Sequence, residues 1–181
     1  SMSDDPTDIQ RRTMLQITAG LAAAGGAGLQ TVSAAARAPQ ATGKPGDFQF
    51  LSGQWRIANR QLKYGAWDTF DGEATVFGIL AGVASVEELR IPSRGFSGMG
   101  LRLLDRERRL WADFWVNATS GVLTPAPSWG SFVDGVGIWD SDDQEDGKLV
   151  IPPRSCRWFQ ASSHDDGRSW QENWVMHWTR M

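Results

Sequence analysis

The residues of this chain whose types and spacing could do chemistry are carboxylates set among tryptophans. Read with period two, the final stretch puts Trp170, Glu172, Trp174, Met176, Trp178 and Arg180 on one side, and Gln171, Asn173, Val175, His177 and Thr179 on the other. From Leu110 to Ala118 the same alternation sets Trp111, Asp113, Trp115 and Asn117 against Ala112, Phe114 and Val116. If the indoles point inward, Glu172 and Asp113 go with them, and the same parity assigns Glu88 and Arg90 to the interior. A carboxylate in aromatic surroundings is desolvated, so its pKa rises and it can act as a general acid or base. The bland alternative is favoured: Glu88 or Glu172 pairs with Arg90, Arg102 or Arg157 as an internal ion pair that orders the fold.

Other chemistries have less support. His177 lies opposite the tryptophans on the last strand and His164 stands beside the Asp165-Asp166-Gly167 turn, and neither accompanies a nucleophile motif, so a hydrolytic triad has no basis. With two histidines and the single Cys156, no zinc spacing exists and no intrachain disulfide can form, so no metal or other cofactor is expected. Tyr64, the one tyrosine, falls in a turn at the mouth of the fold, where it caps a loop or touches a ligand. The net charge is -3 and the basic residues are scattered, with Arg106, Arg108 and Arg109 in one charged turn, which excludes nucleic acid as the expected partner.

Ten tryptophans in 181 residues either fill a core or line a pocket. Trp115, Trp139, Trp158 and Trp174 are the expected pocket walls, whereas Trp67 and Trp129, in or beside loops, could stack on sugars.

The elements that must position these residues begin after an atypical N-terminus. Ser1 ahead of Met2 reads as a tag remnant; Arg11-Arg12 then precede an Ala/Gly-rich apolar run from Ile17 to Leu29 and a small-residue region ending near Ala38. That order has the layout of a signal peptide and resembles the twin-arginine type, implying a periplasmic or secreted protein. An Ala-rich N-terminal helix is the alternative. No later stretch has the roughly 20 apolar residues of a membrane span.

The expected organisation is residues 1–38 as signal segment, 39–47 as linker, and 48–181 as one domain. Within it the pattern predicts short strands at Arg56 to Leu62, Phe70 to Leu80, Ala84 to Ile91, Gly98 to Leu104 and Leu110 to Ala118. Others follow at Trp129 to Phe132, Gly137 to Asp140, Leu149 to Ile151, Ser155 to Ser162 and Trp170 to Arg180. Turn signals such as Asp134-Gly135 separate them, and Ser141 to Gly147 reads as polar surface. The fold class is therefore all-β: a single antiparallel up-and-down meander that most easily buries its face and loses its edges by closing into a barrel.

Gly53-Gln54-Trp55 on the first strand and Arg180 late in the last form a pattern that resembles the lipocalin-like, or calycin, barrels. So do Phe50-Leu51-Ser52, Val86-Glu87-Glu88, Leu101 to Asp105, Trp115-Val116 and Asp166 to Met176, which look like a group of bacterial lipocalin-like proteins. The resemblance implies that the Arg180 guanidinium packs over the Trp55 indole and closes one barrel end. It also implies a small hydrophobic ligand, aromatic or isoprenoid-like, bound or transported between the four tryptophan walls with Asn117 and Tyr64, and anchored by Glu88, Arg102 and Glu172. An alternative use of the same interior is a cofactor-free isomerase, cyclase or lyase, with Glu88, Asp113 or Glu172 transferring the proton; sugar binding through exposed tryptophans is a third. A homodimer is left open.

Overall fold

The computed structural model describes residues 39–140, 146–150, 155–162, 164 and 169–181, with side chains at all of these but 140 and 146–150. The expected signal segment, the Pro152-Pro153 break and the Asp165-Asp166-Gly167 turn lie outside the described residues.

Among the described residues ten strands follow one another: β1 (Gly53–Lys63), β2 (Ala66–Ile79), β3 (Ala84–Ile91), β4 (Phe96–Asp105), β5 (Leu110–Asn117), β6 (Ser128–Val133), β7 (Val136–Asp140), β8 (Asp146–Val150), β9 (Ser155–Ser162) and β10 (Gln171–Arg180). Each pairs antiparallel with its neighbours in sequence, and β10 returns to pair with β1, so the sheet closes as an up-and-down barrel. Closure removes both edges, which a ten-strand open sheet would leave unpaired. The ladder is long on the β10–β1–β2–β3–β4–β5 side; between β8 and β9 Val150 pairs with Arg157 among the described residues.

Alternation sets which side chains face inward. On β1 Trp55, Ile57 and Asn59 are buried between exposed neighbours; on β5 Trp111, Asp113, Trp115 and Asn117 are buried; on β9 Cys156, Trp158 and Gln160. Two hairpins are two-residue turns: Tyr64-Gly65 joins β1 to β2 with φ of 50° and 82°, and Asp134-Gly135 joins β6 to β7 with φ of 52° and 75°. Positive φ at both positions is what a right-twisted hairpin needs. The first turn is tighter than the sequence suggests and β2 starts at Ala66 rather than Phe70, because residues 66–69 are exposed and leave no apolar period to read.

One end of the barrel is plugged. Gln49–Leu51 forms a single 3-10 turn that buries Leu51 completely, and Phe48 lies edge-on to Trp111 at 4.8 Å and to Phe132 at 5.0 Å. The segment expected to be a linker is tied to the barrel: Gly43 N–H donates to the Arg109 carbonyl at 2.8 Å, Thr42 Oγ1 to that of Phe132 at 2.8 Å, and Asp47 accepts from the Trp111 indole at 3.1 Å. Across the same end the Arg180 guanidinium sits 4.4 Å from the Trp55 ring and donates to the carbonyls of Ser52 at 2.7 Å and Phe50 at 2.5 Å. Gly53, with φ of 125°, lets that guanidinium approach; a Cβ there would stand 2.7 Å from Arg180 Nη1. Among the described residues no helix is long and apolar enough to cross a membrane.

Candidate functional site

Seven of the ten tryptophans are buried, all on the inner wall. They divide by level. Toward the plug, Trp178 meets Trp55 at 6.1 Å, Trp111 is edge-on to Phe48, and Trp139 packs against Phe132 at 5.2 Å. Toward the other end, Trp174 meets Trp158 edge-on at 5.4 Å and Phe70 at 6.3 Å, while Trp115 stacks with Phe96 at 6.4 Å. Among the described residues, Trp115 and Trp174 each keep 8% exposure, whereas Trp55, Trp111 and Trp178 keep 1% or less.

Facing glycines make room for the rings. A Cβ on Gly98 would come 2.2 Å from Trp115 Cζ2, and one on Gly130 2.3 Å from Trp139 Cδ2. Each indole therefore lies flat against the neighbouring strand's backbone, which fixes its ring.

Between the two aromatic levels lies a charged cluster. Arg102, 1% exposed, donates from Nη2 to Glu87 Oε2 at 2.5 Å, with its Nε 3.9 Å from Asp113 Oδ1, and its Cζ stands 5.0 Å from the Phe48 ring of the plug. Burial drives the Asp113 carboxyl up to about 7; the Arg102 charge pulls it partly back and Glu87 pushes it up further. Burial works against the Arg102 charge, but Glu87 and Asp113 outweigh it and its pKa is raised. Burial, reinforced by Glu87, lifts the Cys156 thiol well above its usual value, so it is an inert core thiol.

The polar inventory has an imbalance. Trp55 donates to the Leu51 carbonyl at 2.7 Å, Trp111 to Asp47, and Trp174 to Asn59 Oδ1 at 3.1 Å. The indole N–H groups of Trp115, Trp139, Trp158 and Trp178, Arg102 Nη1, Asp113 Oδ1 and the hydroxyls of Ser52 and Ser85 are buried with no hydrogen-bond partner among the described residues.

Two of the expected interior carboxylates are outside. Glu88 has a 60% exposed side chain and binds Arg90 at 2.8 Å on the outer wall; it is Glu87 that turns inward, because Leu89 and Ile91 share its parity and are buried. Glu172 also faces out, pairing with Arg157 at 2.5 Å beside Arg60 at 4.0 Å, since the register slips between Glu172 and Trp174 and a bulge inverts the parity. The pairings weighed for these glutamates exist, but on the surface. His177 faces out as well, its pKa lowered by partial burial and by Arg157 and Arg60. Tyr64 is 99% exposed at a hairpin tip and lines nothing.

Asn117 is buried, and its Oδ1 caps the following turn by accepting from Ser120 N–H at 2.9 Å. Asp113, Arg102, Trp115, Trp158 and Trp174 are inside, while Trp139 belongs to the plugged level. Trp67, 42% exposed, has Arg60 over it at 4.5 Å, and Trp129 has Arg108 at 3.9 Å, so their faces are partly occupied. Sequence reasoning passed over Glu87, Asn59, Gln160 and Phe96. For the first the signal was available in Leu89 and Ile91; Asn59, on the same face as Trp55 and Ile57, was legible too.

Fold and interior together define a closed antiparallel β-barrel, plugged at one end, with an aromatic wall and a buried carboxylate–guanidinium cluster. The chain is similar to a solved structure described as the crystal structure of Rv2717c from M. tuberculosis, with a TM-score of 0.50 and 12% identity over 75% of this chain and 97% of that one. At that identity the likeness shows the fold alone. No family model matches the chain, and no curated protein matches it in sequence.

Proposed function

We propose that the barrel binds or transports a small hydrophobic molecule, aromatic or isoprenoid-like, in the manner the lipocalin-like pattern implies. The observation that carries this is the wall of Trp115, Phe96, Trp158, Trp174 and Phe70 at the unplugged end, where two indoles retain contact with solvent while the opposite end is sealed. The Trp115 ring, held against the Gly98 backbone, presents an apolar face without rotamer loss, which suits a flat or polyene-like guest. The sugar-binding alternative needs exposed tryptophans, and burial of seven of the ten disfavours it.

Native mass spectrometry of the protein isolated from its own host tests the proposal: a stoichiometric apolar compound is expected, and a chain beginning near Ala35 or Arg37 would support export behind the twin-arginine-like signal. An empty protein whose tryptophan emission is unmoved by apolar probes would overturn it.

A cofactor-free enzyme in the same barrel is the second reading, favoured by one observation. Asp113 is a buried carboxyl with a pKa near 7 and an unpartnered Oδ1, the condition of a general acid or base at neutral pH. Glu88 and Glu172, on the outer wall, have no part in it. Asp113→Asn separates the two: a binder keeps its affinity within a few-fold, whereas an enzyme loses turnover by orders of magnitude.

A further inference from the structure

An indole N–H can only donate, and a buried donor left unmet costs more than an exchanged hydrogen bond returns. Among the described residues, four such donors in one interior, with Arg102 Nη1 as a fifth, face one unpartnered carboxylate oxygen, Asp113 Oδ1, and the unpartnered hydroxyls of Ser52 and Ser85, each of which adds a donor along with its acceptor. The interior is thus short of acceptors. Trp139 and Trp178 supply the deficit near the plug, Trp115 and Trp158 near the unplugged end, and Arg102 between them.

Charge narrows the choice of acceptor. Arg102 is the one cation of the cluster and is already engaged, bonded to Glu87 at 2.5 Å with Asp113 at 3.9 Å. A ligand carboxylate or phosphate would meet two protein carboxylates around one spoken-for guanidinium, and would itself lose its hydration; like charges brought together in a buried site disfavour the ionised forms.

We infer that the guest of the barrel is a neutral, flat molecule bearing oxygen acceptors, an aryl ketone or quinone-like compound, rather than a hydrocarbon or a fatty-acid-type anion. The inference rests on the ligand-binding function proposed above. The rings supply the apolar contact and the unmet N–H groups read the carbonyl oxygens, so a site built to donate rejects analogues lacking the acceptor.

Three probes of one shape test it on the full chain: acetylnaphthalene, isopropylnaphthalene and naphthoate, substituted at the same ring position, titrated by calorimetry and by proton–nitrogen correlation spectra of the indole N–H groups. The ketone is expected to bind about tenfold tighter than the hydrocarbon, the equivalent of one net hydrogen bond, and tighter than the anion. At least one of the Trp115, Trp139, Trp158 and Trp178 N–H signals should move downfield. Those of Trp55 and Trp111, already bonded within the protein at the plugged level, should stay and serve as internal controls.

Equal binding of ketone and hydrocarbon with unmoved indole signals overturns the inference while leaving an apolar binder in place. Tightest binding of naphthoate overturns the neutrality of the guest. Failure of all three to bind counts against ligand binding itself.

Discussion

Replacing Asp113 by asparagine should remove most of a pH dependence of stability that the barrel interior creates. The native carboxyl titrates at about 7 instead of 3.8, driven first by burial. Because the native state holds its proton more tightly than the unfolded chain does, stability from this group is fully present below the unfolded value and is lost as pH rises through the native one. The interval from 3.8 to 7 is about 3 pH units, which at about 1.4 kcal/mol per unit amounts to about 4 kcal/mol once the group is ionised. That is a large share of the roughly 5–15 kcal/mol by which domains are stable.

Asparagine keeps the shape and cannot titrate. Urea unfolding of both proteins between about pH 5 and 8 is the assay, and only the difference between them matters, since other groups titrate in common. The wild type should lose about 2 kcal/mol relative to Asp113→Asn between about pH 5 and 6.5, with the difference level near about pH 8. A difference that stays constant over the whole range would refute the placement of Asp113 in a dry, carboxylate-bearing cluster.

Further expectations concern the ion pair, the wall and the seal. Glu87→Gln should destabilise by about 3–5 kcal/mol because it strands the buried Arg102 charge, whereas Glu88→Gln, on the surface, should change denaturant stability by less than about 1 kcal/mol; equal effects would sink the inward assignment of Glu87. Gly98→Ala should cost about 1–3 kcal/mol and alter the near-ultraviolet dichroism, as its methyl displaces the Trp115 ring. Arg180→Ala should lower stability by about 1–3 kcal/mol through its two carbonyl bonds and its stacking on Trp55, and Arg180→Lys should recover only part, because an ammonium cannot reproduce the fork; thermal melts of the two variants decide it. Native Cys156 should resist thiol reagents until the protein is unfolded by denaturant, and rapid labelling of the native state would contradict its burial.

How far the sequence could be read depended on which signal each element left. Strands whose polar and apolar residue types alternate were legible, since Trp55, Ile57 and Asn59 alternate with exposed neighbours, and Trp111, Asp113 and Trp115 share one parity on β5. The start of β2 was not, because residues 66–69 form a hairpin ribbon with neither face buried. Glu172 was misplaced for a deeper reason. Parity carries over a strand only while the register holds, and the bulge before Trp174 is invisible in the alternation of residue types. Glu88 was a choice between adjacent glutamates that the buried Leu89 and Ile91 could have settled in favour of Glu87. The docking of Gln40 to Asp47 beside the plug escaped notice because the segment is polar and Gly- and Pro-bearing, as linkers are; it is attached through backbone groups and the Thr42 and Asp47 side chains, which composition does not encode.

The pairing of β10 with β1 sets Arg180 opposite Trp55, 125 positions earlier (180 − 55), and the Arg180 side chain reaches further back, to the Ser52 carbonyl. During synthesis the hydrogen-bond circuit therefore stays open until β10 has emerged, and until then β1 offers an unpaired edge beside Trp55 and Ile57 with no Trp178 to cover them. Contacts of such long range are paid in loop entropy before they return anything, so the last strand should dock late and set the folding rate. A chain stalled or truncated just short of Gln171 would be a curled sheet with two sticky rims, and this barrel's vulnerability to aggregation is concentrated in that brief interval of its life.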